Sequence, residues 1–129
     1  PLPALASGFE VDSVMSIPVA AQLAHTYTEC AHIWNPIHTD RGVALAAGLP
    51  DIILHGTATL ALAVSALVDG QLDGDAGRVS RLGGRFAAMV LMPSDIELQM
   101  GKADNGSIRF RVLNAQGQEA ISQGFLSYQ

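Results

Sequence analysis

The sequence predicts an α+β fold in which helices come first and an antiparallel sheet follows. Over the first half of the chain, apolar residues recur at helical spacing or form a continuous run, and from residue 78 onward they alternate at every second position. A sheet with one apolar face needs a cover, and the preceding helices can supply it. The 129 residues suit a single domain over residues 1–129.

The N-terminal part contains a predicted strand and a predicted helix. Residues 1–7 read as a loose lead-in, and residues 11–17 as a short strand. Pro18 fits the first position of a helix, where its missing N–H costs nothing. The apolar spacing that follows predicts a helix over residues 19–33, which Pro36 would stop.

Two further helices are predicted before the sheet. Thr39 is a suitable N-cap for a short helix over residues 40–47. Residues 56–68 are apolar nearly all round, and a helix without a polar face is a buried helix. We therefore expect this helix, ended by Asp69 and Gly70, to lie at the centre of the core.

Four strands complete the predicted fold. Their ranges are residues 78–92, 95–103, 107–113 and 119–128. Hairpin turns at residues 104–106 and 114–117 join the last three. Gly83 and Gly84, inside the first of these strands, suggest a bulge or a close backbone approach. The sheet is expected to wrap around the buried helix.

Composition excludes several classes of protein. The formal net charge of -5, without a basic patch, argues against nucleic acid as a partner. The longest apolar run, residues 58–68, is too short to span a membrane, and no signal peptide is visible. The lone Cys30 excludes an internal disulfide, so we expect a cytoplasmic protein. The four histidines lack zinc-site spacing, and we expect neither a metal nor a cofactor.

Residues that can carry chemistry lie in two short segments. Residues 31–40 read Ala-His-Ile-Trp-Asn-Pro-Ile-His-Thr-Asp, and residues 54–57 read Leu-His-Gly-Thr at the start of the buried helix. A histidine such as His38 transfers protons near neutral pH. The first N–H groups of a helix, here Gly56 and Thr57, are free donors at the positive end of its dipole. Together these groups predict an acid–base site beside an oxyanion site.

These segments resemble the MaoC-like dehydratase family, which includes R-specific enoyl-CoA hydratases and has the hotdog fold. Its motif is roughly Gly-Asp-x-Asn-Pro-Leu-His, followed by His-Gly at the start of the central helix. Residues 35–38, Asn-Pro-Ile-His, match the second half of the motif, and residues 55–56 match the later His-Gly. The resemblance runs from about residue 19 to the end. It implies an antiparallel sheet wrapped around a buried central helix.

The resemblance also implies a function and its residues. The implied reaction is hydration of an enoyl thioester, or dehydration of a 3-hydroxyacyl thioester, carried by CoA or by a carrier protein. The resemblance assigns the catalytic roles of the family's His and Asn to His38 and Asn35. It assigns substrate binding and the oxyanion site to His55, Gly56 and Thr57. His55 has a second interpretation, as a buried histidine that orients the loop.

One departure from the motif leaves the catalytic acid open. The family's Asp, two residues before the Asn, is replaced by Ile33. Some related dehydratases also lack this Asp, so its loss does not by itself imply inactivity. Glu29 lies one turn before Ile33 on the same predicted helix face, which makes it our candidate for the substitute acid. The alternative interpretation of Glu29 is a solvated surface residue.

Two other functions stay open. A non-catalytic acyl-thioester-binding domain is motivated by Ile33. A hotdog thioesterase is the third possibility. Such enzymes often place a carboxylate on the central helix, and residues 56–68 contain none, which counts against this function. The resemblance further implies a homodimer in which two sheets join into one and the sites lie at the interface.

Overall fold

A computed structural model describes residues 9–129, so the predicted lead-in at residues 1–7 lies outside the described residues. Five strands and three α-helices are present. The strands are β1 (Ser13–Val19), β2 (Val79–Phe86), β3 (Ser94–Met100), β4 (Ser107–Leu113) and β5 (Glu119–Tyr128). The α-helices are α1 (Leu23–Ala31), α2 (Arg41–Ala46) and α3 (Gly56–Gln71). A 3₁₀ turn at Pro36–His38 lies between α1 and α2.

The strands form one sheet in the order β1-β3-β4-β5-β2, and every neighbouring pair is antiparallel. The turn between β3 and β4 places Asn105 and Gly106 at φ 52° and 72°, which is the left-handed geometry of a tight hairpin. The predicted irregularity at the glycine pair is confirmed, because the pairing of β2 with β5 shifts between Gly83 and Arg85.

The inner face of the sheet and α3 form the core together. In β3 and β4 every second side chain is buried, as the alternation predicts. Ala63 and Leu67 of α3 are fully buried in the same apolar cluster as Leu98 and Phe110 of the sheet. The predicted arrangement, an antiparallel sheet packed on a central helix, is therefore confirmed.

The first strand is shifted two residues towards the C-terminus from the predicted range 11–17, and α1 is shorter than predicted. Pro18 does not begin a helix: it lies in β1, opposite Asp95. β1 is an edge strand, where a missing N–H is tolerated. Val19 is buried as the last residue of β1, and α1 begins only at Leu23.

The ends of α1 and α2 also differ from the prediction. His32, at φ 56°, ends α1 in the left-handed conformation, before Pro36 is reached. α2 is capped by Asp40 rather than Thr39, because the Asp40 carboxylate accepts a hydrogen bond from the N–H of Val43 at 3.1 Å.

The predicted strand over residues 78–92 ends early. After Phe86 the chain donates two more backbone hydrogen bonds to β5, from Ala87 and Ala88, and then leaves the sheet. Its next backbone hydrogen bond joins the carbonyl of Val90 to the N–H of Leu54, just before α3. Residues 87–92 therefore cross from the sheet edge to the N-terminus of the central helix.

The central helix α3 is longer and less enclosed than predicted. It continues past Asp69 and Gly70 to Gln71. Before its last two residues, which are both exposed, its exposed positions follow one stripe at four-residue spacing: Thr57, Ala61, Ser65 and Asp69. No helix among residues 9–129 is both long and apolar enough to cross a membrane.

A glycine of β5 gives a direct test of the packing between β4 and β5. A Cβ at Gly124 would lie 2.6 Å from the ring of Phe110 and 2.7 Å from its backbone oxygen. We expect Gly124→Ala to lower the free energy of unfolding by about 1–3 kcal/mol, since overpacking a buried site forces the surroundings apart. Chemical denaturation followed by circular dichroism measures the change.

Gly70→Ala is the matched control for this substitution. No atom lies within 4 Å of a Cβ at Gly70, which is in α3. Alanine there should raise the free energy of unfolding by roughly 0.5–1 kcal/mol, because glycine costs a helix more backbone entropy. Equal stability of the two variants would contradict the close packing described at Gly124.

Candidate active site

His38 is fixed by the backbone of one residue. Its Nδ1 lies 2.8 Å from the carbonyl oxygen of Ile53, and the N–H of Ile53 donates to the carbonyl of Ile37. Because a carbonyl can only accept, Nδ1 carries the proton of the neutral ring, and Nε2 keeps a lone pair. The free nitrogen is thus the basic one, as a proton acceptor requires.

A second imidazole lies face to face with the first. The rings of His38 and His55 are stacked with their centroids 3.8 Å apart and their planes 20° from parallel. His38 is half-buried, whereas His55 is only 2% exposed. The structure therefore brings two of the predicted residues together but places His55 behind His38, away from solvent.

The surroundings of His55 favour its neutral form. Burial lowers the pKa of the His55 imidazole below its usual value, the neighbouring His38 lowers it further, and the backbone of Ile33 acts in the opposite direction. The ring is consequently neutral at pH 7. A neutral neighbour lets His38 accept a proton without repulsion from a second charge.

Helix α1 holds His55 through two consecutive residues. The hydroxyl of Thr28 lies 3.0 Å from Nε2 of His55, and the ring of Tyr27 packs on the imidazole at 4.7 Å between centroids. The Tyr27 hydroxyl donates a hydrogen bond to Oγ1 of Thr57 at 2.9 Å. The end of α1 is therefore tied to the first turn of α3 by side chains.

The first turn of α3 retains free donors. His55 stands at the N-cap position but makes no side-chain cap hydrogen bond. Within residues 9–129 the N–H groups of Gly56 and Thr57 have no partner, so they remain available to an acceptor at the positive end of the helix dipole.

Gly56 has no side chain, and this leaves room for an aromatic ring. A Cβ there would lie 2.9 Å from Cγ of Phe86, so any larger residue would displace that ring from the start of α3. Phe86 is the last residue of β2 and is 54% exposed. The glycine therefore allows Phe86 to lie directly against the first turn of the helix.

A groove runs from this point along the segment that leaves the sheet. Its volume is about 530 Å³, within the range of small-molecule sites, and both His38 and Gly56 border it. The walls are mainly apolar and include Leu49, Leu54, Phe86, Met89 and Val90. A proton-transferring group and backbone donors thus meet at one apolar groove.

The other predicted site residues lie outside this groove. Asn35 is exposed, and its side-chain oxygen accepts from the N–H of Ile37 at 3.2 Å, which shapes the 3₁₀ turn that carries His38. Glu29 is exposed on α1, and within residues 9–129 its carboxylate makes no hydrogen bond or ion pair. Its neighbour Thr28, rather than Glu29, reaches the histidine pair.

Neither imidazole is paired with a carboxylate in the described part of the chain. Asp40 caps α2, and Asp51 accepts from the N–H of Ile52 and lies 3.7 Å from Arg41. No cluster of three metal-ligating side chains is present among residues 9–129.

Three residues of the site were not foreseen from the sequence. Thr28 gave a signal, because it lies one turn after Ala24 on the apolar face of α1, where a polar residue is unexpected. Tyr27 read simply as an apolar position of that helix. Phe86 gave no signal in the sequence, since its position depends on where the chain leaves the sheet.

An antiparallel sheet around a central helix is the architecture of a hotdog domain, and here a histidine pair lies at the N-terminus of that helix. The chain belongs to the MaoC-like domain family: the family model described as "MaoC like domain" matches residues 5–123. The resemblance found in the sequence is thereby confirmed.

Individual relatives agree with this membership. An enoyl-CoA hydratase of Mycobacterium tuberculosis is 41% identical over 78 residues, which are 60% of this chain and 27% of that protein. The peroxisomal enoyl-CoA hydratase 2 of Arabidopsis thaliana is 40% identical over 57 residues, 44% of this chain and 18% of that one. The chain therefore spans about a quarter or less of the length of these curated relatives.

Solved structures show the same fold. A MaoC-like dehydratase from Phytophthora capsici matches all of this chain and 44% of its own with a TM-score of 0.91 at 23% identity. The (R)-hydratase from A. caviae matches 97% of this chain and 96% of its own with a TM-score of 0.74 at 18% identity.

The buried histidine predicts a pH dependence of stability. The folded-state pKa of His55 lies below the usual value of 6.5, so between these two values the unfolded chain binds more protons. We expect the free energy of unfolding to fall as the pH drops below 6.5 towards the folded-state pKa. Denaturant titrations from pH 8 to pH 5 measure the slope.

His55→Gln isolates the contribution of this residue. The variant should show a flatter dependence on pH across the same range, while His25→Gln, at an exposed position of α1, should follow the wild type. A wild-type slope in His55→Gln would mean that another group causes the loss of stability.

Proposed function

We propose that this domain hydrates enoyl thioesters, or catalyses the reverse dehydration of 3-hydroxyacyl thioesters, with His38 as the general acid and base. The observation that carries the proposal is the orientation of His38: its Nδ1 is anchored on the Ile53 carbonyl, and its ring borders an apolar groove at the free end of α3. The family relationship and the enoyl-CoA hydratases among the relatives support it.

The proposed hydration uses His38 for proton transfer and the first N–H groups of α3 for charge stabilisation. Nε2 of His38 removes a proton from water while the water oxygen bonds to the β-carbon of the enoyl group. Electron density moves onto the thioester oxygen, which the N–H groups of Gly56 and Thr57 stabilise. A proton then bonds to the α-carbon, and the thioester carbonyl is restored. Dehydration follows the same steps in reverse.

The source of the proton on the α-carbon is the part of the mechanism that Ile33 leaves open. The imidazolium formed at His38 can return the proton it took from water, since a histidine donates and accepts near neutral pH. Glu29 remains the candidate for a separate acid, although it is exposed on α1. Asn35 supports the turn under His38, and His55 supports the ring from behind.

A binding domain without activity is the second candidate function. The absence of a carboxylate paired with either imidazole among residues 9–129, together with Ile33, favours it over a thioesterase. The carboxylate of α3 belongs to Asp69, which lies in the last turn of the helix. It is therefore far from Gly56, where a thioesterase would need it. Both candidates use the same groove for an acyl group carried by CoA or a carrier protein.

Loss of the conjugated thioester absorbance of crotonyl-CoA tests the first candidate. We expect hydration by the wild type and a fall of roughly 10²–10⁴-fold in kcat in His38→Ala, because general acid–base catalysis is lost. His25→Gln is the control for an exposed histidine and should keep the wild-type rate. A His38→Ala variant with undiminished activity would contradict the assigned role.

Glu29→Gln in the same assay decides between the two proton sources. A collapse similar to that of His38→Ala would identify Glu29 as the acid, and an unchanged rate would leave His38 as the only proton carrier. If the wild type neither hydrates enoyl thioesters of several chain lengths nor releases thiol, the binding domain replaces the enzyme as the proposed function.

We also propose a homodimer that joins two sheets at β2. This strand is an edge of the sheet, and it exposes Leu82 and Phe86, which are 41% and 54% accessible. Ile33 and Trp34, near the site, are exposed as well. Unpaired backbone groups and apolar side chains on one edge are features that a second copy would cover.

Light scattering measures the mass directly. We expect twice the mass of the chain, and we expect Leu82→Lys to shift the equilibrium towards the monomer, because a charge on an edge strand opposes pairing. Val14→Lys on β1, at the opposite edge, is the matched control and should leave the mass unchanged. A monomeric wild type would contradict the proposed assembly.

A further inference from the structure

Thr28 and His55 form a buried polar pair next to the proposed base. Oγ1 of Thr28 lies 3.0 Å from Nε2 of His55, and the two residues are only 4% and 2% exposed. Burying a hydroxyl and an imidazole in an apolar core is costly unless each has a partner. An aliphatic residue would suit position 28 better if the face of α1 served packing alone, so the polar pair points to a specific task.

We propose that Thr28 is a positioning residue for His38: it donates a hydrogen bond to Nε2 of His55 and so holds that ring in one neutral tautomer, stacked against His38. The proposal rests on the function proposed above, because it concerns the proton transfer at His38. Thr28 is not among the residues that line the groove, and in the proposal it acts through His55.

The surroundings of His55 indicate the direction of the hydrogen bond. A threonine hydroxyl either donates or accepts, and a neutral imidazole carries one N–H. Nε2 of His55 faces Thr28, and the buried Nδ1 makes no hydrogen bond within residues 9–129. Burial and the neighbouring His38 favour the neutral ring by lowering the pKa of His55. A threonine that donates to Nε2 supports that neutral form, so the proposal assigns the ring proton to Nδ1.

The hydrogen bond matters for His38 because the rings are in contact. With centroids 3.8 Å apart, a proton on His55 would set a positive charge against His38 and oppose proton uptake there. From α1, Tyr27 is the titratable group that touches the pair. The first turns of α3 and residues 86–90 contribute no titratable group, and no carboxylate within residues 9–129 pairs with either ring. A cationic His55 would therefore lack a compensating charge.

The pH profile of kcat/KM separates positioning from packing. Thr28→Val keeps the shape of the side chain but removes the donor, so the neutral form of His55 loses support. The acid limb of this profile is the range in which kcat/KM falls as the pH drops. We expect it to move to higher pH by roughly half to one unit, which is the effect of one net hydrogen bond on a pKa. Thr28→Ser should retain the wild-type limb, and so should Thr26→Val, at an exposed position of α1. A uniform loss of rate without a shifted limb would overturn the proposal.

NMR of the histidine ring nitrogens tests the same idea without substrate. In the wild type we expect His55 to carry its proton on Nδ1 and to stay neutral to a lower pH than in Thr28→Val. A proton on Nε2 in the wild type, or an unchanged titration in Thr28→Val, overturns the proposal. If Thr28→Val does not fold, the tautomer in the wild type and in Thr28→Ser still decides. Because this measurement needs no turnover, its outcome does not depend on the result of the hydratase assay.

Discussion

The arrangement at the N-terminus of α3 depends on one constraint: a central helix packed against a sheet cannot have all of its first N–H groups satisfied from within. Here the residue before the helix, His55, provides no side-chain cap, and Gly56 provides no side chain at all. Other parts of the chain must therefore cover the helix end without consuming its donors. α1, the 3₁₀ turn and the end of β2 each meet it there.

Of these three elements, two cover the helix end with polar contacts and the third covers it with an apolar contact. α1 supplies the hydroxyls of Tyr27 and Thr28, which hydrogen-bond to the side chains of Thr57 and of the N-cap residue His55 rather than to the helix backbone. The 3₁₀ turn supplies His38, whose Nδ1 is directed to the Ile53 carbonyl instead of to the helix. Phe86 closes the remaining side with a ring that forms no hydrogen bond. The helix end is thus enclosed, yet its N–H groups stay free for an acceptor.

The sequence predicts the sheet better than it predicts the site. Strands β3 and β4 each have one buried and one wetter face, so their period of two is visible in the residues themselves. Pro18 is different, because both a helix start and an edge strand tolerate it, and the pairing with Asp95 decides between them only in the folded chain. Likewise, the motif indicates His38 and His55, but no spacing indicates that their rings stack. That contact requires the Ile53 backbone to hold one ring while α1 holds the other.

One basic nitrogen at His38, with no carboxylate of residues 9–129 paired to it, constrains the stereochemistry of the proposed reaction. If Nε2 of His38 takes a proton from water and returns it to the α-carbon, both events occur where one ring meets one face of the double bond. Hydroxyl and hydrogen must then add to the same face, which is syn hydration. The ring cannot turn to deliver the proton elsewhere, because Nδ1 is tied to Ile53 and its face is stacked on His55. In the proposed mechanism, the contacts that orient His38 therefore also determine the geometry of addition.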